Sequence, residues 1–190
     1  MPMKDKGVLV ILSGPSGVGK GTVRKVLMEL PNLNLFYSIS LTTRKARPGE
    51  VDGKDYYFVD NETFEDNIRR GNLLEYAEFV GNRYGTPKDK VEAMLEEGKN
   101  VLLEIEVNGT MEVLKKVPDA VSIYLMPPSF DALEQRIRGR STETEDVIQS
   151  RLAKAKKEMK LAGAYKYTVL NDDVNRAAEE IASIIRSSKR

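Results

Sequence analysis

A chain of 190 residues suits one domain, which can carry small inserted lobes, and is long enough to bury a core. Its 30 Lys and Arg residues against 29 Asp and Glu give a net charge of +1, so no strong field attracts nucleic acid. Cysteine and histidine are both absent, which excludes disulfides, thiol nucleophiles, histidine bases and Cys/His zinc sites.

No apolar run approaches the roughly 18 residues of a membrane-spanning helix, and no signal peptide is visible. We therefore expect a cytoplasmic protein with neither a membrane nor a nucleic acid as partner. Its chemistry has to use Lys, Arg, Asp, Glu, Tyr, hydroxyls, backbone groups and a bound metal. The oligomeric state is left open by the sequence.

The chain begins with an apolar run, a glycine-rich segment and an amphipathic pattern. Residues 8–12 predict a buried strand, and the apolar positions after residue 22 predict one face of a helix. The segment between them has the G-x-x-x-x-G-K spacing of a phosphate-binding loop, in which glycines let backbone N–H groups turn toward phosphate oxygens. The sequence thus predicts a nucleotide phosphate site at Gly14, Pro15, Ser16, Gly17, Val18, Gly19, Lys20, Gly21 and Thr22.

One position of this loop departs from the general motif. Gly21 stands where a Ser or Thr hydroxyl usually binds Mg²⁺, and the next hydroxyl belongs to Thr22. We therefore expect Mg²⁺ to be held mainly by phosphate oxygens, water and acidic side chains elsewhere. Thr22 and Glu106 are candidate ligands, and the metal shell stays open at this stage.

Strand and helix patterns alternate along the rest of the chain. Strand-like runs at 35–40, 54–59 and 73–80 surround a charged turn and a short helix that Asp60 or Asn61 can cap. Thr86 is predicted to cap the next helix, with Pro87 as its first residue.

Three further apolar runs, at 101–106, 121–125 and 167–170, predict core strands, and residues 174–185 predict a closing amphipathic helix. Ser129 is predicted to cap a helix after the second run. Thr142 with Glu145 fits a capping box for the long helix that follows. Buried strands that alternate with helices indicate an α/β fold with a doubly wound parallel sheet, whose ligands bind beyond the strand C-termini.

The segment 38–86 is rich in groups that suit anions. Arg44 and Arg47 lie three residues apart in a turn, and the planar guanidinium matches phosphate with two hydrogen bonds. Tyr56 and Tyr84 can each offer a hydroxyl to the same phosphate. The alternative, solvated surface charge, is weakened because four such groups fall in one inserted lobe.

A third group of basic residues consists of Arg136, Arg138, Arg140 and Arg151. Phosphoryl transfer needs positive charge at the oxygens of the transferred group and exclusion of water, and a lid that carries arginines over the loop supplies both. A salt-bridged helix face is an equal alternative, because Glu143, Glu145, Asp146 and Glu158 are near in sequence.

Six motifs, in order and spacing, resemble those of guanylate kinases over nearly the whole chain. They are SGPSGVGK at 13–20, SISLTTR with RPGE between 38 and 50, DGKDY at 52–56, EY at 75–76, YGTP at 84–87 and RIRGRSTE at 136–143. The second and fourth of these motifs are specific to that family rather than to P-loop proteins in general. The resemblance implies Mg²⁺-dependent phosphoryl transfer between ATP and GMP.

The resemblance also implies three parts and a role for each matching residue. We expect a core at about 1–36, 88–126 and 152–190, a mixed α/β GMP-binding lobe at about 37–87 and a small helical lid at about 127–151. Ser40, Arg44, Arg47, Tyr56 and Tyr84 would hold the GMP phosphate, Glu75 and Thr86 would bind guanine, and Glu104 and Glu106 would lie near guanine and metal. Lys20, Arg44, Arg136, Arg140 and Arg151 would supply charge for catalysis, with Asn171 near the adenine of ATP.

Two other functions are weighed against this one. A guanylate-kinase-like interaction module would lack working loop or lid residues, whereas Lys20, Arg44, Arg136 and Arg140 are all present. A kinase for another nucleoside monophosphate, or an unrelated NTPase, is suggested by the Gly21-Thr22 ending, which also occurs in adenylate-kinase-like loops. Glu75 argues against adenine, because guanine offers N1–H and a 2-amino group as adjacent donors to one carboxylate.

Overall fold

The computed structural model describes residues 5–140 and 142–189, so Ser141 of the sixth motif lies outside the described residues. The strands are β1 (Leu9–Ser13), β2 (Leu35–Tyr37), β3 (Leu41–Thr42), β4 (Tyr57–Phe58), β5 (Leu73–Phe79), β6 (Asn82–Pro87), β7 (Asn100–Glu104), β8 (Val121–Met126) and β9 (Tyr167–Leu170). The α-helices are α1 (Lys20–Glu29), α2 (Asn61–Arg69), α3 (Lys88–Glu96), α4 (Val107–Lys116), α5 (Phe130–Arg140), α6 (Glu145–Met159) and α7 (Val174–Ser187). Within the described ranges, no helix has the length and hydrophobicity needed to cross a bilayer.

Five strands form a parallel sheet in the order β2-β7-β1-β8-β9. The central strand β1 pairs with β7, where Leu9 is opposite Val101 and Leu12 is opposite Glu104, and with β8 on its other edge. All five residues of β1 are buried, as expected for an apolar run inside a parallel sheet. The predicted doubly wound parallel sheet is confirmed.

Helices cover both faces of this sheet because successive residues of a strand point to opposite sides. Val10 and Leu12 pack in one cluster with residues of α1, α5, α6 and α7. Leu9 and Ile11 pack on the opposite face with residues of α3 and α4. The parallel sheet is thereby buried on both sides.

A second sheet, in the order β4-β3-β6-β5, is formed by residues 41–87. β3 is parallel to β4, whereas β6 is antiparallel to both β3 and β5. Phe64 of α2 packs against this sheet with Leu41 and Leu73. Leu74, the next residue of β5, packs instead in the cluster that contains Leu9 and Ile11 of the parallel sheet. β5 therefore belongs to both hydrophobic clusters and joins the lobe to the core.

The predicted start of the helix after residue 86 is wrong. Thr86 and Pro87 are the last residues of β6, and α3 begins at Lys88. The Thr86 hydroxyl donates a hydrogen bond to the Glu75 carboxylate at 2.7 Å, so it is not available to cap a helix.

The predicted capping box of Thr142 and Glu145 is also wrong. Thr144 precedes α6, and its side chain makes no capping hydrogen bond. Both carboxylate oxygens of Glu145 accept hydrogen bonds from Arg138, so this ion pair replaces the expected bond to the backbone.

Asn100, the first residue of β7, connects three segments from a buried position. Its Oδ1 accepts a hydrogen bond from the Val8 N–H at 2.9 Å, and its Nδ2 donates to the Leu33 carbonyl at 2.7 Å. Its own backbone N–H donates to the Asn34 carbonyl at 2.9 Å. The side-chain amide thus pairs backbone groups that precede β1 and β2.

Asn100→Ala should lower the free energy of unfolding by about 2–4 kcal/mol, because each buried polar group left without a partner costs about 1–3 kcal/mol. Urea unfolding measures this loss. Asn175→Ala, at an exposed position of α7, is the control and should change the free energy by less than about 0.5 kcal/mol. Equal losses in the two variants would contradict the role of the Asn100 amide.

Candidate functional site

The loop between β1 and α1 has room only for glycine at its first position. A side-chain carbon at Gly14 would lie 2.6 Å from the carbonyl oxygen of Leu125 in β8. Gly19, which precedes α1, has a φ of 97°, a left-handed conformation that other residues rarely adopt. The result is a glycine turn that ends in a helix N-terminus, which is an arrangement suited to anions.

Lys20 lies at the start of α1 and reaches back over this loop. Its Nζ donates to the Gly14 carbonyl at 2.9 Å and to the Pro15 carbonyl at 3.4 Å. Burial lowers the pKa of the ammonium, and the negative charges of Glu104 and Glu158 oppose that shift. The amine is therefore held inside the turn, where a phosphate oxygen could take the place of these carbonyl oxygens.

Three of the residues predicted from elsewhere in the chain contact the loop. Arg136 of α5 donates through Nη1 to the Val18 carbonyl at 2.8 Å, and the buried Asn171 donates to the same carbonyl at 2.8 Å. Arg151 of α6 donates through Nη2 to the Ser16 hydroxyl at 3.1 Å. The structure thus brings α5, α6 and the end of β9 to the loop.

The other two arginines of the predicted lid, Arg138 and Arg140, have different surroundings. Arg138 forms ion pairs with Glu134 and Glu145, as the alternative of a salt-bridged helix face predicts. Arg140 is exposed at the last residue of α5. Arg151 fits both predicted roles. It contacts the loop through Nη2, and its Nη1 forms a salt bridge with Glu143 at 2.9 Å.

The lobe groups its anion-binding candidates around Arg44. Both terminal nitrogens of Arg44 donate to Glu50, at 3.0 and 2.8 Å, and this ion pair lowers the pKa of Glu50 to about 2. Glu50 also accepts the Arg47 backbone N–H at 2.8 Å. The guanidinium carbon of Arg44 lies 5.2 Å from the centre of the Tyr56 ring, whose centre is 6.1 Å from that of Tyr84.

Ser40 enters this group through its backbone, because its carbonyl accepts the Tyr57 N–H at 2.9 Å. That bond brings the segment before β3 next to β4, and therefore next to Tyr56. Arg44, Tyr56 and Tyr84 thus lie close together. Glu50 links Arg47 to Arg44, and the backbone bond places Ser40 beside the residue after Tyr56.

Glu75 and Thr86 form a buried pair on the adjacent strands β5 and β6. The Thr86 hydroxyl donates to Glu75 Oε1 at 2.7 Å. Burial raises the pKa of Glu75, and the hydrogen bond from Thr86 opposes that increase. A buried carboxylate with one oxygen already paired is a specific acceptor for a ligand that offers adjacent N–H donors.

Glu104 and Glu106 differ in their surroundings. Glu104, the last residue of β7, accepts the Arg24 Nε–H at 2.6 Å, and the Arg24 guanidinium carbon lies 4.3 Å from the centre of the Tyr37 ring. Glu106 lies beyond the end of β7, contrary to the predicted strand 101–106, and its exposed carboxylate pairs with Lys154 at 3.3 Å.

Two groups connect the loop side of the site with the lobe side. The charge of Glu106 adds to the rise that burial causes in the pKa of Glu75 and opposes the fall that burial causes in the pKa of Lys20, so it lies within electrostatic range of each. The pKa of the Tyr37 hydroxyl is raised mainly by burial and then by Glu104, with a further contribution from Tyr56 of the lobe. Residues of both sets therefore lie within electrostatic range of the carboxylates at, and just beyond, the end of β7.

Arg24, Tyr37 and Glu50 are positioning residues that sequence reasoning did not single out. Arg24 lies one helical turn after Lys20 on α1, and this spacing could have indicated a shared face. Glu50 ends the RPGE motif, where an acidic residue next to two arginines is itself a signal. Nothing in the sequence indicates the role of Tyr37, because that role depends on the packing of the Arg24 guanidinium over its ring.

The residues beside the loop fit a site for Mg²⁺ that is completed by phosphate. Across residues 5–140 and 142–189, no group of three or more acidic or histidine side chains could hold a metal. Glu104 is the carboxylate next to Gly21, because its Oε1 would lie 3.9 Å from a side-chain carbon at that position. Mg²⁺ commonly takes one or two carboxylates together with substrate phosphates and water. One carboxylate beside a phosphate-binding loop satisfies that requirement.

Thr86→Val should raise the pKa of Glu75 further, because the ionised carboxylate loses a hydrogen-bond donor of nearly the same shape. A raised folded-state pKa favours the protonated form, so the stability loss of about 1–3 kcal/mol should be largest above that pKa and shrink as the pH falls through it. Carbon-13 NMR titration of the glutamate carboxyls and urea unfolding measure the two effects. Thr168→Val, at an exposed position of β9, is the control, and an unchanged Glu75 pKa in Thr86→Val would contradict the expectation.

Comparison with known proteins places this geometry in one family. The model of the family described as Guanylate kinase matches residues 6–188. A guanylate kinase of Lactococcus lactis subsp. lactis (strain IL1403) is 55% identical over 185 residues, which are 97% of this chain and 90% of that protein. One of Bacillus cereus (strain ZK / E33L) is 57% identical over 180 residues, which are 95% of this chain and 88% of that protein.

A solved structure agrees with the sequence comparisons. The crystal structure of guanylate kinase from Anaplasma phagocytophilum superposes with a TM-score of 0.75 at 37% sequence identity, and the match covers 98% of this chain and 88% of that one. The match thus includes the parallel sheet, the lobe and the helices that contact the loop. The chain belongs to the guanylate kinase family.

Proposed function

We propose that this protein transfers the γ-phosphoryl group of ATP to GMP, which gives ADP and GDP. The observation that carries the proposal is the buried Glu75–Thr86 pair, which lies within electrostatic range of the same carboxylate, Glu106, as Lys20 of the glycine-rich loop. The loop suits a nucleotide triphosphate, and the carboxylate suits guanine. Family membership supports the same reaction.

The lobe binds the acceptor nucleotide. Glu75 accepts the N1–H and the 2-amino group of guanine, and Thr86 keeps its carboxylate in place. Arg44 and Arg47 hold the phosphate of GMP together with Ser40, Tyr56 and Tyr84. Adenine lacks the adjacent pair of donors, so AMP would leave the buried carboxylate with the Thr86 hydroxyl but with no donor from the base, and this loss opposes its binding.

The core and the lid bind the donor nucleotide. The backbone N–H groups of residues 14 and 16–22, at the N-terminus of α1, contact the phosphates of ATP together with Pro15, which has no N–H, and Asn171 lies on the adenine side. Lys20 exchanges its carbonyl partners for β- and γ-phosphate oxygens. Arg136 and Arg151, which contact the loop, and Arg140, which reaches it when the lid closes, neutralise charge on the transferred group.

The reaction needs little covalent work from the protein. A phosphate oxygen of GMP attacks the γ-phosphorus of ATP in line with the leaving oxygen of ADP, so orientation and positive charge supply most of the catalysis. Bound Mg²⁺ supplies charge neutralisation at the phosphates. Glu104 is the residue of this chain best placed to hold that ion beside Gly21, ahead of the exposed Thr22 and of Glu106, which pairs with Lys154.

The division of labour follows the three parts expected from the sequence. We propose a core of about residues 1–36, 88–126 and 152–190, a GMP lobe of about 37–87 and a lid of about 127–151. The lobe has its own sheet and hydrophobic cluster, which supports its movement as a unit. The expected cytoplasmic location stays a prediction.

Release of ADP in a coupled assay with GMP, AMP, UMP and CMP tests the proposed reaction. We expect GMP to be preferred over AMP by on the order of 10⁴-fold in kcat/KM, because the rejected base leaves a buried carboxylate unpaired. Comparable turnover of AMP would overturn the assignment of Glu75. Absence of transfer to all four nucleotides, with GMP or an acidic peptide still bound, would favour an interaction module instead.

Lys20→Ala should lower kcat by at least roughly 10²-fold, because a preorganised charge at the transferred group is lost. GMP affinity, measured by calorimetry without ATP, should stay within about twofold, since Lys20 contacts the loop rather than the lobe. A parallel loss of GMP binding would show that the two nucleotide sites are not separable.

Arg136→Ala and Arg138→Ala form a matched pair on one helix. Arg136 contacts the loop, so its loss should reduce kcat by roughly 10²–10³-fold, whereas Arg138 is paired with Glu134 and Glu145 and its loss should change kcat by less than about threefold. Steady-state kinetics with saturating GMP and ATP measures both. Equal effects in the two variants would mean that the lid arginines act only through the general charge of the helix.

A further inference from the structure

Helix α4 passes unusually close to the carboxylate of Glu75. A side-chain carbon at Gly109, the third residue of α4, would lie 2.9 Å from Glu75 Oε2, 3.3 Å from its Cδ and 3.4 Å from its Cγ. The shortest of these distances is one that real side-chain carbons essentially never show, so a larger residue at this position would require the Glu75 carboxylate to move. The helix backbone therefore forms a wall against one oxygen of this carboxylate.

The glycine is not needed for the backbone conformation at this position. Gly109 lies within a regular α-helix and has no left-handed φ, and glycine is among the least favourable residues in a helix. Because Gly109 has no side chain, α4 can lie this close to Glu75. The close approach of α4 to Glu75, and not the stability of the helix, therefore explains a glycine at position 109.

A second contact holds α4 against the same strand. Lys116, two turns after Gly109 on the same face of the helix, donates through Nζ to the carbonyls of Leu73 and Leu74 at 2.8 and 2.9 Å. These carbonyls immediately precede Glu75 in β5. The helix is therefore tied to the strand just before the residue that it also confines.

Each of the two carboxylate oxygens of Glu75 is constrained by a different residue. Oε1 accepts the Thr86 hydroxyl, and Oε2 faces the backbone of Gly109. Leu74 anchors the strand in the hydrophobic cluster of the core. One oxygen is therefore held by a hydrogen bond, and the other is confined on one side by the helix backbone.

We propose that Gly109 and Lys116 of α4 are positioning residues for base specificity, which aim the Glu75 carboxylate at the two adjacent donors of guanine. The inference rests on the proposed function and assigns to a core helix a role in selecting the base. A displacement of less than 1 Å would leave one of the two hydrogen bonds to guanine poorly aligned, so affinity for GMP depends on the shape of α4.

Gly109→Ala tests this role, because it should change the KM for GMP and not the KM for ATP. The KM for GMP should rise by on the order of tenfold to a hundredfold, since small misplacements of a substrate-binding group have effects of this size. The KM for ATP should stay within about twofold. The ratio of kcat/KM for GMP over inosine monophosphate, which lacks the 2-amino group, should fall, because the displaced carboxylate no longer recognises that group.

Gly163→Ala is the matched control, because a side-chain carbon there would meet no atom within 4 Å. It should leave both KM values and the base ratio unchanged. An unchanged KM for GMP in Gly109→Ala would overturn the inference. Equal changes in the KM values for GMP and ATP would also overturn it, because they would indicate a general structural defect.

Lys116→Met gives a second test if Gly109→Ala does not fold. It removes the two hydrogen bonds to β5 while retaining most of the side-chain volume, and the KM for GMP should rise by at least about threefold with the KM for ATP unchanged. A lack of effect on GMP would contradict the role of the helix contact. The wild-type protein separates the proposed kinase activity from the proposed role of α4. If the wild-type protein phosphorylates GMP and the two variants have the same KM values, the role of α4 is refuted and the kinase activity is not.

Discussion

The burial of β1 is the constraint on which the rest of the structure depends. Its apolar side chains contact helices on both faces, and partner strands occupy both of its edges. The end of the strand brings Gly14 against a carbonyl of β8 and places Lys20 within reach of the charge of Glu104 at the end of β7. Because parallel strands end at one edge of the sheet, groups distant in sequence meet there.

Features that depend on neighbouring residues were predictable from the sequence. Apolar runs located the core strands, and the glycine spacing located the loop. Two helix caps also agree with their predicted positions, because Asp60 accepts the Thr63 N–H and Ser129 accepts the Ala132 N–H. A cap and its partner lie within three residues, so the local sequence contains all the necessary information.

Features that depend on distant partners were not predictable from pattern alone. Thr86 has the residue type of a helix cap, but its hydroxyl is engaged by Glu75 on the adjacent strand. Arg136 and Arg138 have the same local pattern, yet two residues along a helix rotate the side chain by about 200°, so one meets the loop and the other a carboxylate. The close approach of Gly109 to Glu75 likewise exists only once α4 packs on β5.

The ion pair between Arg44 and Glu50 affects which anions the lobe can retain. Both terminal nitrogens of Arg44 already contact a carboxylate that, with a pKa of about 2, stays charged at any physiological pH. Glu50 takes two of the five N–H donors of Arg44 and the Lys45 carbonyl takes a third, so an incoming anion meets a guanidinium whose charge is already partly neutralised. A small free anion has only its own charge with which to bind there, whereas a nucleotide gains further contacts through its base. We therefore expect the lobe to hold inorganic phosphate weakly and a whole nucleotide more firmly.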